Sequence, residues 1–285
     1  MSKTQILSAC HKLSREKDLN FNIVLTYYFL ESILLKLSKS SFRDLFILKG
    51  GFLLSSLIGV EERTTLDMDF LYSGQFISED EVVSAFNAIL AGEEGPIRHQ
   101  LFTLSRLKGN HPYQGYRLTI QCRLENINQI IPLDIATGDK MTPGSVKYQY
   151  RSLFGKEEIP IKAYPLETVL SEKIQTIYDK GFLNSRSKDF YDLYTLCKLR
   201  SDSIDMHLLL EACKTTFSHR KTEWNTEKLK ALLVSLKDDP VFIRRWVAFA
   251  KKNHYASGLK FDVVIEHALG LVEKLEWKST HAQTS

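Results

Sequence analysis

Asp67 and Asp69, separated only by Met68 in the stretch "TTLDMDFLY", are the residues of this chain whose types and spacing most directly suggest chemistry. On an extended strand alternate side chains share a face, so the two carboxylates would project together. Carboxylates that close repel each other unless a cation lies between them. Magnesium accepts such oxygen ligands, usually one or two carboxylates together with substrate phosphates. A lone D-x-D is equally compatible with two solvated strand carboxylates. Asp134, in "QIIPLDIATGD", supplies a third acid between Leu133 and Ile135. A carboxylate in so apolar a run is costly unless it is paired or binds metal, although a strand-end aspartate capping a turn would also fit. Two acids on one strand and one on a neighbour can hold two divalent ions roughly 4 Å apart.

The elements that must position these acids follow from periodicity. "DLFILKGG" predicts a strand entering a glycine turn at Gly50 and Gly51, and "FLLSSLIG" a short buried helix closing at Gly59. "TTLDMDFLY" predicts a second strand, with Leu66, Met68 and Phe70 turned to the core. A glycine turn that opens a helix exposes backbone N–H groups suited to phosphate, although most glycine pairs are only turns. Residues 1–43 predict helix, as does "EDEVVSAFNAILA", whose acidic start suits the helix dipole. "GYRLTIQCRL" and "QIIPLDIAT" alternate as strands.

Beyond about residue 160 the patterns are helical, and "GKEEIPIKAYP" predicts a boundary near 155–165. The fold class expected is α+β, a mixed-sheet N-terminal part followed by an all-helical C-terminal part. In the first of these later helices Lys173 falls inside the apolar stripe of Leu166, Val169, Leu170, Ile174 and Ile177. It is either a snorkelling lysine or a cation turned inward. In "SRSKDFYDLY", Ser187 is a candidate cap, and Asp189 and Asp192 sit where a helix start favours acids. Arg63 could meet phosphates or pair with Glu61 or Glu62, and Lys49 is similarly open.

Composition bounds the rest. The chain has 285 residues, 44% hydrophobic and 25% charged, with a net charge of +4, as expected of a soluble globular protein. Only the tail "KSTHAQTS" predicts disorder. Basic residues cluster in two runs: Arg98, His99, Arg106, Lys108, His111, Arg117 and Arg123, then Lys140, Lys147, Arg151, Lys156 and Lys162. Each alone reads as a solvated positive face, which permits a nucleic-acid partner without demanding one. Cys10, Cys122, Cys197 and Cys213 are scattered, which suits a reducing cytoplasm rather than a disulfide framework or zinc site. The N-terminus has no apolar signal core, and "FNIVLTYYFLESILLKL" carries Glu31 and is short for a membrane span. The histidines form no metal-spaced cluster, and G-x-S-x-G and P-loop motifs are missing.

Three segments, "FILKGGFLLSSLIGVEERTTLDMDFLY", "IPLDIATGD" and "LSEKIQTIYDKGFLNSRSKDFYDLYTL", resemble the AbiEii/AbiGii toxin family of type IV toxin–antitoxin systems. That family is part of the DNA-polymerase-β-like nucleotidyltransferase superfamily, and the resemblance spans roughly residues 20–200. It implies a nucleotidyltransferase domain over 1–160 and a helical domain over 161–285 that contributes Lys173 and Asp189 to the site. Asp67, Asp69 and Asp134 would hold two magnesium ions, or manganese, and would act in catalysis with Lys173 and Asp189. Gly50, Gly51, Arg63, Thr65, Lys173, Arg186 and Lys188 would bind a nucleoside triphosphate, with Asp189 orienting Lys173 or Arg186. The implied reaction moves a nucleoside monophosphate to RNA, at the 3′ end of tRNA, with the basic runs tracking its backbone. Alternatives are a protein hydroxyl as acceptor, or a regulator that binds triphosphate without transfer. A cognate antitoxin is implied, and a cytoplasmic location without membrane attachment. One departure is Phe52, where many relatives in the superfamily carry a hydroxyl residue nearby; Ser55 or Ser56 is not assumed to replace it.

Overall fold

The structure is a computed structural model that describes residues 1–74, 77–92, 95–107 and 115–281, with side chains through 278. The chain forms two compact units, residues 1–139 with 145–163, and residues 140–144 with 164–285.

The first unit begins with two helices, α1 (Lys3–Glu16) and α2 (Phe21–Lys39). Ser2 and Gln5 form a capping box on α1, and the Asn20 side chain caps α2. Strand β1 (Phe46–Lys49) leads into α3 (Gly50–Ile58), then β2 (Met68–Tyr72) and α4 (Glu79–Leu90). Five strands complete the unit: β3 (Ile97–Arg106), β4 (Tyr116–Leu124), β5 (Ile127–Thr137), β6 (Val146–Arg151) and β7 (Glu158–Ala163). All seven join one mixed sheet in the order β3-β4-β5-β2-β1-β7-β6.

Apolar residues on one face of this sheet drive its burial. Leu118, Ile120, Leu133, Ile135, Met68, Phe70 and Phe46 are all buried, as are Leu30, Ile33, Leu34 and Leu37 of α2. Phe46 packs its ring edge-on to Phe86 of α4 at 5.2 Å. Helix α2 is, by length and composition, apolar enough to cross a membrane, so the expectation that it is too short does not hold. It is nevertheless packed inside this unit. Its Glu31 accepts hydrogen bonds from Tyr150 Oη (3.0 Å), Ser152 Oγ (2.6 Å) and the Leu153 N–H (2.8 Å).

Strand β2 starts at Met68, so Thr64–Asp67 is not strand, and Leu66 is 55% exposed rather than in the core. Strands β3, β6 and β7 go beyond the periodicity reading; "EIPIKA" is strand β7, not linker.

The second unit is helical: α5 (Leu166–Lys180), α6 (Ser187–Leu199), α7 (Met206–His219), α8 (Thr226–Lys237), α9 (Pro240–Lys252) and α10 (Phe261–His281). Helix α10 extends through residues expected to be disordered, and 282–285 lie outside the described residues. An aromatic cluster of Phe190, Phe242, Trp246 and Phe261 joins α6, α9 and α10. The four cysteines are free thiols.

Candidate active site

The acids of the first unit are gathered by strand register. Strands β2 and β5 run parallel with Asp69 opposite Asp134, and β5 pairs antiparallel with β4, placing Arg117 opposite Asp134. Directly paired residues point to the same face, so Asp69, Asp134 and Arg117 stand in one row across three strands. The buried Leu133 and Ile135 point the other way, which leaves Asp134 half-buried on the polar face.

Glycine makes the approach to Asp69 possible. Gly50 has φ +69°, and a Cβ there would stand 1.9 Å from Asp69 Oδ2. Both the left-handed backbone and the missing side chain are required at this position. Gly51 plays the same part for the loop before β2: a Cβ there would lie 2.8 Å from Thr65 Oγ1. Thr65 in turn donates its hydroxyl hydrogen to Asp67 Oδ1, and Arg63 Nη1 donates to the Thr64 carbonyl. The loop is pinned from below by Tyr27, whose hydroxyl accepts from the Thr65 N–H at 3.1 Å and donates to the Arg63 carbonyl at 3.4 Å.

Gly50, Gly51, Arg63, Thr65, Asp67 and Asp69 therefore form one cradle at the start of α3. Phe52 is turned away into the core, stacked on Tyr150 at 5.1 Å. Ser55 and Ser56 donate to carbonyls of their own helix, so neither serves the turn. The hydroxyl beside the glycines comes from Thr65. Glu61 is paired with Lys17 at 2.8 Å, and Lys49 with Asp139 at 2.8 Å.

Sequence shows Arg117 only as a member of a basic run; its partner is set by the β4–β5 register. Its Nε and Nη2 donate to Asp134 Oδ1 and Oδ2 at 2.7 and 2.6 Å, a two-pronged salt bridge. The guanidinium pKa is raised first by that hydrogen bond and the Asp134 charge, and further by the charges of Asp67 and Asp69. All three acids thus act on one cation. Among the described residues no three acidic, imidazole or thiol groups converge into a ready metal cage. The donor set itself is of the kind a hard divalent ion takes, since Asp67, Asp69 and Asp134 offer only carboxylate oxygens.

Several members of the basic runs are paired with acids or drawn inward. Arg98 and Arg123 face each other across β3 and β4 and are exposed. His99 is instead drawn inward, 2.8 Å from Ser32 Oγ, and burial together with Lys36 lowers its pKa to about 4. Arg106 pairs with Glu79, Arg151 with Glu158, and Lys162 with Asp44. Lys140, Lys147 and Lys156 are exposed, while Lys108 and His111 lie outside the described residues.

In the second unit Lys173 of α5 is turned inward. Its Nζ donates to Asp189 Oδ1 at 3.2 Å and Asp192 Oδ2 at 2.6 Å, both carboxylates being buried. Arg186 Nε stands 2.9 Å from Asp189 Oδ2. Its N–H is not aimed at that oxygen, so the contact is an ion pair without a hydrogen bond. Asp189 thus touches both cations, and Asp192 joins the network as more than a helix-start acid. Lys188 is exposed and outside it. Ser187 does not cap α6: it is the first helical residue, Arg186 occupies the cap position, and no side chain caps it.

The sequence profile described as nucleotidyl transferase AbiEii toxin, type IV toxin–antitoxin system, matches residues 32–267. This chain belongs to the AbiEii nucleotidyltransferase toxin family. As a family member it is a nucleotidyltransferase enzyme, of a class that generally uses divalent metal ions, takes nucleoside triphosphate and pairs with an antitoxin. Among solved structures it is similar to JHP933 from Helicobacter pylori, with TM-score 0.58 and 12% identity over 93% of this chain and 98% of that one. A second H. pylori chain, described as a candidate nucleotidyltransferase, gives TM-score 0.55 and 13% identity over 89% and 95%. At these identities the likeness speaks for the fold. No curated protein sequence matches.

Proposed function

We propose that this AbiEii-family toxin transfers a nucleoside monophosphate from a triphosphate to the 3′ end of tRNA, with magnesium, in the cytoplasm. The acceptor hydroxyl attacks the α-phosphorus, its proton leaves, and pyrophosphate departs from the same phosphorus. Asp69 opposite Asp134, with Asp69 pressed against Gly50 at the start of α3, is the observation that carries this reading. Magnesium, when bound by Asp67, Asp69 and Asp134, supplies neutralisation of the triphosphate charge.

The chain's own residues do the positioning. The N–H groups at Gly50 and Gly51 and the Thr65 hydroxyl line the cradle for phosphate. Asp134 is the group assigned to take the acceptor proton. Lys173 is the cation assigned to the triphosphate, with Asp189 and Asp192 fixing its ammonium and Arg186 and Lys188 adding positive charge. A tRNA 3′ end blocked in this way cannot be aminoacylated, which would arrest growth.

The test is acceptor-resolved label transfer. The protein is incubated with magnesium, each α-labelled triphosphate in turn, and either total tRNA or cell protein. Label that enters tRNA and is released by 3′-exonuclease supports the proposal. Label confined to protein would move the acceptor to a protein hydroxyl. Triphosphate binding with no transfer to either would make the protein a regulator.

A further inference from the structure

Asp134 is the acid on which both metal binding and proton transfer depend in the reading above, yet both its oxygens are already engaged. The Arg117 fork takes Oδ1 and Oδ2 at 2.7 and 2.6 Å. The pairing is fixed by backbone, because Arg117 and Asp134 are directly opposite across β4 and β5. A divalent cation and a guanidinium compete for the same lone pairs of one carboxylate. Arg117 is 56% exposed against 24% for Asp134, so the arginine can swing away into solvent while the aspartate stays in place.

We propose that Arg117 is a built-in counterion that occupies Asp134 in the metal-free enzyme and must be displaced before a divalent ion can use that carboxylate. It is a positioning residue. Its guanidinium pKa is raised by the Asp134 contact first and by the charges of Asp67 and Asp69 after it, so it stands as counterion to the whole acidic row. It also makes metal loading weak until a triphosphate arrives, since the displaced guanidinium then faces added anionic charge. The inference rests on the metal reading of Asp67, Asp69 and Asp134, and its test separates the two.

Manganese binding to the full chain, without nucleotide, is followed by the loss of the free-ion electron paramagnetic resonance signal. Wild type is compared with Arg117→Ala, Arg117→Lys and Asp69→Asn, each checked for native circular dichroism. Arg117→Ala is expected to bind manganese roughly fivefold more tightly, the scale of a half-exposed two-pronged ion pair. Arg117→Lys, which keeps the charge but loses the fork, should fall between alanine and wild type. Lysine binding as weakly as wild type would mean that charge alone, and not occupation of both Asp134 oxygens by the fork, sets the affinity, and would overturn the displacement. Unchanged or weaker binding in Arg117→Ala would overturn it as well. Asp69→Asn reports on the metal reading by itself: if it binds manganese like wild type, that reading fails whatever the arginine variants do.

Discussion

At the scale of single residues, the site depends on close approaches that only certain side chains permit. Gly50 is the sharpest case, because it combines φ +69° with a Cβ position 1.9 Å from Asp69 Oδ2. Gly50→Ala should lower stability by about 2 kcal/mol or more, from backbone strain and displacement of the carboxylate. Urea unfolding measures it; a loss within a few tenths of a kcal/mol would show that Asp69 does not sit against the turn. Lys173 is a second case, since it neutralises the buried Asp189 and Asp192. Lys173→Met should destabilise by about 3 kcal/mol, and adding Asp192→Asn should restore part of that, because an uncompensated buried charge is the main cost. A Lys173→Met protein as stable as wild type would contradict the inward placement. These residues differ in how far sequence could reach them. The D-x-D spacing is local and readable, whereas Arg117 and Asp134 lie 17 positions apart and meet only through β4–β5 register.

At the scale of elements, α2 carries a buried acid whose charge state is linked to pH. Burial raises the Glu31 pKa to about 7, against the lowering effect of hydrogen bonds from Leu153, Ser152 and Tyr150. A carboxylic acid whose folded pKa lies above its unfolded value favours folding at low pH. That contribution is full below about 4.5 and is lost as pH rises through 7. His99, on β3 and bonded to α2, acts in the opposite direction, since its lowered pKa costs stability as pH falls from 6.5 towards 4. Glu31→Gln isolates the first effect. Its stability relative to wild type should improve by on the order of 2 kcal/mol between pH 5 and pH 8, measured by denaturant unfolding at each pH. A pH-independent difference would contradict a neutral Glu31. Element boundaries also show where pattern reading stops. Strand β3 has its register shift between Leu101 and Thr103, which switches the alternation from odd to even positions and hides the strand. Strand β7 contains Pro160, which reads as a linker; in the sheet it stands opposite Gln149 of β6, while β1 pairs with β7 at Ala163.

At the scale of the whole molecule, the order of strand, glycine turn, helix, D-x-D strand and later single-acid strand is what made the family legible. The profile match over residues 32–267 agrees with that order. The functional pairings across strands were legible only in part, because they are set by a seven-stranded register that no local window contains. The central claim is that Asp67, Asp69 and Asp134 serve transfer of a nucleoside monophosphate. The most direct measurement is α-labelled triphosphate transfer to total tRNA by wild type and by Asp69→Asn, in parallel, with pyrophosphate release recorded in the same reactions. The account predicts label in tRNA with equimolar pyrophosphate for wild type, and a loss of at least about a hundredfold for a natively folded Asp69→Asn. Equal transfer by both proteins would contradict it.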